Sequence, residues 1–229
     1  MMTVTIEDLR AIFLFAKFQD SELATIREMI AARAYPARTI IFSQGDPSPG
    51  LWFVQRGRVR LYRVAPSGRE FTLCLARPDS LPCVGACPLF DGDHCPATAQ
   101  ALEDSTVFFI DRERALASAA NHTAVARLFG QVLANHSRLL MRLSTSLALH
   151  CTTPRLIDLL LTYADERGRA TARGIELDLD VDQQLLASVL GATPQMVAHD
   201  FLKLERAGVI DARGKHIVIL RMERLKSMI

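Results

Sequence analysis

The stretch LGATPQMVAHDFLKLERAGVID, Leu190 to Asp211, decides how the C-terminal third of this chain folds. Leu185, Leu186 and Leu190 close an apolar-periodic segment that begins at Asp182. Gly191-Ala192-Thr193 then breaks it, and Pro194 opens a second segment running to Ala207. Gly after a last apolar residue, Thr as N-cap and Pro at the first helical position form a helix stop followed by a helix start. Within the second segment Val197, Phe201 and Leu204 recur at helical spacing and pack inward, with Thr193, Gln195, Met196, His199 and Lys203 left outside. Two short β runs follow, Val209–Asp211 and His216–Leu220, turned at Gly214-Lys215. Helix, short Gly-containing turn, helix and hairpin outline a winged helix-turn-helix.

The outward residues carry chemistry suited to DNA. Gln195 pairs bidentately with an adenine edge, Lys203 neutralises a phosphate, and the Thr193 hydroxyl reaches a phosphate. His199 adds a partial, pH-dependent charge. Arg213 and Lys215 at the hairpin turn supply backbone contacts. From Lys203 to Lys226 there are seven basic residues against three acidic ones. Helix-turn-helix outlines also serve as packing units in enzymes, so the upstream chain matters.

Upstream lies a helical run from Ala124 to Leu149 in which Val125, Leu128, Val132, Leu139, Leu143 and Leu147 recur at steps of three and four, His136 filling the gap. About 25 residues give a helix of ~38 Å. A single apolar seam of that length is buried against another helix, and a homodimer is the economical partner. Thr153 is expected to cap the next helix, with Pro154 at its first position and Arg155–Ala164 following. Ile175–Val181 alternates apolar and acidic residues, as an edge strand does.

The first half has a different texture. Helical spacing is expected over Glu7–Phe18 and again from Asp20 through Leu23, Ile26 and Ile30. Between Thr39 and Ile110, short β-branched and aromatic runs (Ile40–Phe42, Leu51–Val54, Val59–Val64, Phe71–Leu75, Thr98–Leu102, Thr106–Ile110) alternate with Gly and Pro turns. That spacing predicts a small antiparallel barrel or roll. The fold class is therefore α+β: an antiparallel β-roll over 1–121, a long dimerisation helix over 122–150 and a winged helix-turn-helix over 151–229.

Composition narrows the function classes. The 229 residues are 49% hydrophobic and 23% charged, with net charge +2, which excludes a disordered or low-complexity chain. No run of ~18 apolar residues is present to span a membrane, and Glu7 and Asp8 stand where a signal peptide needs apolar residues, so a cytoplasmic protein is expected. Five cysteines, Cys74, Cys83, Cys87, Cys95 and Cys151, argue against a disulfide framework in such a compartment.

Gly45-Asp46, the strand pair around Gly57, the Gly85…Leu89-Phe90 segment, the long helix and the Leu185–Lys215 region together resemble the CRP/FNR family of bacterial transcription regulators. The resemblance covers nearly the whole chain. It implies a β-roll effector domain of cyclic-nucleotide-binding type, a dimerising helix, effector-controlled binding to a palindromic operator, and RNA polymerase as a further partner. The departures are specific. Members that bind cyclic AMP carry Gly-Glu-Leu and then Arg-Ser to hold ribose and phosphate. Here Ala86 and Cys87 follow Gly85, and Pro96-Ala97 occupies the Arg-Ser place. The family's Arg-Glu-Thr-Val-x-Arg becomes Pro194-Gln195-Met196-Val197-Ala198-His199, which lacks the guanine-gripping arginine.

Four cysteines, Cys74, Cys83, Cys87 and Cys95, lie where a nucleotide pocket would be. Four thiolates hold an iron–sulfur cluster or a zinc ion, although oxygen-sensing members keep their cysteines mainly in an N-terminal extension and this chain has none before Cys74. An iron–sulfur cluster is the first cofactor expected. Haem is the second, suggested by Cys87-Pro88 and Cys95-Pro96 with His136 or His94 as a further ligand. A cofactor-free thiol switch or a soft-metal sensor comes third. The bland alternative is that free cysteines are small apolar core residues, and Cys74, between Leu73 and Leu75, suits that best. Cys151 reads as structural or as an accessible thiol. A thiol enzyme using Cys83 or Cys87 is disfavoured by the lack of a Cys-x-x-Cys pair.

Overall fold

A computed structural model describes residues 3–47, 50–79, 83–84, 94–179 and 181–229, with only the backbone described at 83–84. The expectations for Gly85, Ala86, Cys87, Pro88 and Leu89-Phe90, and for the Cys83 side chain, lie outside the described residues. The chain divides into two compact units, residues 1–64 with 73–141, and residues 65–72 with 142–229.

The N-terminal unit opens with α1 (Ile6–Arg10), a 3₁₀ turn (Phe13–Phe15) and α2 (Asp20–Arg27). Thr5 caps α1 in a reciprocal box with Asp8. The continuous helices expected to reach Phe18 and Ile30 are therefore shorter. The second gives way to a strand, β1 (Ile30–Tyr35). Ala31, Ala32 and Ala34 favour a helix locally, but all six residues pair with β8 (Ser105–Asp111), from Ile30↔Ile110 to Tyr35↔Ser105. Long-range pairing here overrides propensity.

Other strands follow the turn signals, β2 (Ile40–Phe42), β3 (Gly50–Arg56), β4 (Val59–Val64), β5 (Glu70–Ala76) and β7 (Thr98–Ala101), whereas β6 (Cys83–Val84) falls outside the expected runs. They form two four-stranded antiparallel sheets, ordered β1-β8-β3-β6 and β2-β7-β4-β5. Gly57 makes the tight β3–β4 turn possible: its φ is +86°, and a Cβ would sit 2.4 Å from the Ser105 hydroxyl. One core gathers Phe15, Phe18, Phe53 and Phe108 with Leu128 and Val132 of the long helix. A second holds Phe42, Trp52 and Phe109 with Cys74 and Cys95.

After β8 comes α3 (Arg112–Asn121), absent from the sequence expectation and started by the Asp111 carboxylate, which accepts from the Arg114 N–H at 3.0 Å. The long helix α4 spans Thr123–Leu149. Of its expected seam, Val125, Leu128 and Val132 are buried in the chain's own core, Leu139 and Leu143 are half-buried and Leu147 is exposed. Leu133 and Leu140, exposed too, lie outside that expectation, and the exposed apolar row is Leu133, Leu140 and Leu147, at intervals of seven.

The C-terminal unit contains α5 (Thr152–Arg167), β9 (Arg169–Thr171), β10 (Gly174–Asp178), α6 (Gln183–Leu190), α7 (Pro194–Arg206), β11 (Ile210–Arg213), β12 (His216–Ile219) and α8 (Met222–Lys226). The expected edge strand near 175–181 is β10, and it lies inside the sheet β11-β12-β10-β9. The unexpected β9 takes the edge. The start of α5 also differs: Cys151 stands extended at the N-cap position without a side-chain cap, and Thr153 lies inside the helix, with its hydroxyl engaged elsewhere. The core of this unit is aliphatic, built on Leu156, Leu160, Leu186, Leu190, Leu204 and Ile217. Residues 65–72 join it through a buried 2.8 Å hydrogen bond between the Thr72 and Ser188 hydroxyls.

Candidate nucleic-acid interface and effector cysteines

The turn between α6 and α7 is fixed from both ends. Gly191 ends α6 in the left-handed conformation, φ +61°, where a Cβ would also press on the Phe71 ring at 3.0 Å. The Arg155 guanidinium donates to the Leu190 carbonyl at 2.5 Å, satisfying an orphan acceptor at the helix end. Thr193 caps α7, its hydroxyl accepting from the Met196 N–H at 3.3 Å, and Pro194 occupies the first helical turn.

With the helix so placed, Gln195, Met196, His199 and Lys203 are exposed and Val197 and Leu204 are buried, as the spacing required. The structure brings Gln195, Met196 and His199 together along one cleft of about 350 Å³ with Cys151, Thr152 and Thr153. Cys151 makes no side-chain cap, and the first residues of α5, Thr152 and Thr153, line the cleft. Backbone donors at a helix N-terminus are well suited to a phosphate. Sequence reasoning missed this contribution from α5.

Asp200 is the other residue it missed. Three residues after Val197 and four before Leu204, it shares their inward face, and it is 6% exposed. Thr153 donates its hydroxyl to Asp200 Oδ1 at 2.7 Å, and Oδ2 has no partner among the described residues. Lys203, expected to reach a phosphate, lies with its Nζ 3.4 Å from the same Thr153 hydroxyl. In the wing, Arg213 and Lys215 are exposed at the β11–β12 turn. Arg173 donates to Asp211 at 2.5 Å, and its guanidinium holds that carboxyl below the usual carboxylate range. Arg213 adds to the effect at 3.6 Å, so it brings a partly paired charge to the wing.

The effector cysteines stand differently. Cys74 and Cys95 are both buried in the Trp52 core. Burial pushes the Cys74 thiol up to about 12, which keeps it neutral. Cys95 is 1% exposed in the same core, so the two thiols stand alike. Among the described residues, no group of three or more His, Cys, Asp or Glu side chains is placed to hold a metal ion. His94 is exposed. His136 is partly buried on α4, with Nδ1 3.1 Å from the Val132 carbonyl one turn back, and burial lowers its pKa. Cys151 is exposed.

These features define a class: a β-roll of cyclic-nucleotide-binding type joined through a long helix to a winged helix-turn-helix. Residues 32–122 match the cyclic nucleotide-binding domain family, and residues 154–228 match the Crp-like helix-turn-helix domain family. Together the matches span most of the chain, which belongs to the CRP/FNR family of transcription regulators. Regulators of this family bind DNA through the helix-turn-helix and act as dimers.

The chain is 23% identical over 212 residues to a CRP-like cAMP-activated global transcriptional regulator of Mycobacterium tuberculosis, covering 93% of this chain and 94% of that protein. It is 37% identical over 106 residues to a cyclic AMP receptor protein of Thermus thermophilus, covering 46% of this chain and 48% of that one. A solved structure of the c-di-GMP responsive global regulator CLP from Xanthomonas campestris superposes with a TM-score of 0.75 at 24% identity, over 88% of this chain and 99% of that one. No described helix is long and apolar enough to cross a membrane.

Proposed function

We propose that this chain is a homodimeric cytoplasmic transcription regulator that grips a palindromic operator, and that its β-roll senses redox state or a gas through cysteines instead of binding a cyclic nucleotide. The observation that carries the DNA reading is the exposed Gln195–Met196–His199 face sharing a cleft with the N-terminal residues of α5. Gln195 supplies base readout, and the α5 N-terminus, Thr193, Lys203, Arg213 and Lys215 supply phosphate contacts. Leu133, Leu140 and Leu147 supply the seam for a second copy. Two α7 helices then address half-sites one helical turn apart. RNA polymerase is the further partner of such a regulator, and no enzymatic role is proposed.

Support for the sensor reading is chemical. The stretch that would hold ribose and phosphate lacks the acid and the cation, and carries Cys83, Cys87 and Cys95 instead. An iron–sulfur cluster is the first cofactor proposed and haem the second. The ligand set proposed is Cys74, Cys83, Cys87 and Cys95, of which Cys74 and Cys95 are buried in one core.

The test is an absorption spectrum of protein purified without oxygen, with iron and acid-labile sulfide assayed, and DNA binding measured before and after air. Iron with sulfide, and binding that changes in air, are expected. Cys87→Ser should remove the response and leave the dimer intact. A colourless, iron-free protein whose DNA binding ignores air would contradict the sensor reading and leave the DNA reading standing.

A further inference from the structure

A cleft of about 410 Å³ lies in the N-terminal unit between the 3₁₀ turn and α4. Three observations set it apart. The first is its charge: Lys17, Arg127 and Arg138 all line it, with no carboxylate among the described lining residues. Two of these cations are held in place. The Arg127 guanidinium donates to Glu22 at 2.7 Å and lies 4.2 Å from the Phe18 ring centre, and Arg138 donates to Asn135 at 2.6 Å.

The second observation is apolar surface within the same cleft. Phe13 is 54% exposed, and Leu14 and Ala134 lie beside it. Leu14 is 4% exposed, so Phe13 is the large apolar side chain left open, and with the fixed cations it gives one cleft two chemistries.

The third is Gly130. It sits inside α4, where glycine is a poor helix former, and a Cβ there would meet nothing within 4 Å. Among the described residues no contact calls for glycine at this position. Its open flank is part of the cleft and lets a guest approach the helix backbone. The lining residues of α4, Arg127, Gly130, Ala134 and Arg138, follow at steps of three and four. They form a flank distinct from the Leu133–Leu140–Leu147 row.

We infer that this cleft binds a small amphipathic carboxylate, with the anionic head between Lys17 and Arg138 and the apolar tail over Phe13, Leu14 and the open flank of Gly130. The volume suits a small molecule, and the cations select the sign of its charge. A neutral or cationic amphiphile of equal length loses the head-group contacts.

The test is calorimetric titration of the full-length protein with sodium octanoate, using octyltrimethylammonium as the control of opposite charge. Saturable binding of octanoate, one per chain, is expected, with none of the ammonium compound. The double variant K17E/R138E should weaken octanoate roughly tenfold or more, the size of a lost charged hydrogen bond. Gly130→Leu, which fills the open flank, should abolish it. Circular dichroism and gel filtration confirm that both variants keep the fold and oligomeric state. No saturable binding of octanoate, equal binding of the ammonium compound, or octanoate affinity untouched by both variants would overturn the inference. No DNA is present in the titration, so failure here leaves the DNA reading untouched.

Discussion

The two units of this chain are stabilised by different chemistry. The β-roll buries aromatics, Phe15 against Phe53 at 5.1 Å between ring centres and Trp52 against Phe109 at 5.3 Å. The C-terminal unit is held by Leu, Ile and Val, and its precision comes from helix ends: Gly191, Thr193, Asp182 and the Arg155–Leu190 bond. A unit built on helix ends presents its function on an exposed face, a few residues from the signals that place it. A unit built on chain-distant sheet packing hides whatever it senses among core side chains. The consequence is that mutations should separate the two cleanly.

The largest effects belong to the cores. Phe53→Ala and Leu204→Ala should each cost about 3–5 kcal/mol, since both side chains are fully buried. Hydrogen exchange should place the lost protection in the N-terminal unit for the first and the C-terminal unit for the second. Protection lost equally across both units by either variant would break the distinction.

Next is the buried carboxylate of α7. Thr153→Ala removes the donor to Asp200 and should cost about 2 kcal/mol, read by urea denaturation, because the charge stays buried with its partner gone. Asp200→Leu in the Thr153→Ala background should recover most of that loss, since an apolar residue of similar volume needs no donor. Failure to recover would mean that Asp200 makes a contact beyond Thr153.

The wing gives a smaller effect on stability and a clear one on binding. Lys215→Ala should leave the fold unchanged and lower the salt-dependence slope of DNA binding by about 1, as expected for one lost phosphate contact. Arg213→Ala should lower it less, because Asp211 already shares that charge.

The smallest effect is the pH dependence of His136. Burial lowers its folded pKa below the ordinary 6.5, so the unfolded chain binds its proton first as pH falls. The contribution is complete above about pH 6.5 and is lost as pH drops from there toward the lowered folded value. His136→Gln should flatten that part of the denaturation profile. An unchanged profile would remove His136 as a source of acid sensitivity.

How much of this was legible in the sequence follows the same division. In the C-terminal unit, Gly191, Thr193, Pro194 and the outward row Gln195, Met196 and His199 stand in the structure where the sequence puts them, because caps and helical periodicity act over three or four residues. Asp200 was passed over as a charged residue, although its spacing from Val197 and Leu204 placed it inward. The missing donor signal was Thr153, 47 residues away. In the roll the Gly and Pro turns revealed six strands. They could not reveal β1, whose alanines become a strand only by pairing with β8, or β6, two residues paired with β3. Cys74 was legible as a core residue from its neighbours Leu73 and Leu75. A liganding arrangement of cysteines was not legible from intervals of eight, three and seven residues, because sheet packing, not sequence spacing, decides which thiols meet.

The central claim, a dimer reading DNA with the exposed face of α7, is tested most directly by selecting bound sequences from a random duplex pool and repeating the selection with Gln195→Ala. The account predicts enrichment of an inverted repeat with half-sites about one helical turn apart. It also predicts that the variant relaxes one symmetric pair of positions and leaves the spacing unchanged. Enrichment of no repeat, or a repeat indifferent to Gln195 at every position, would contradict it.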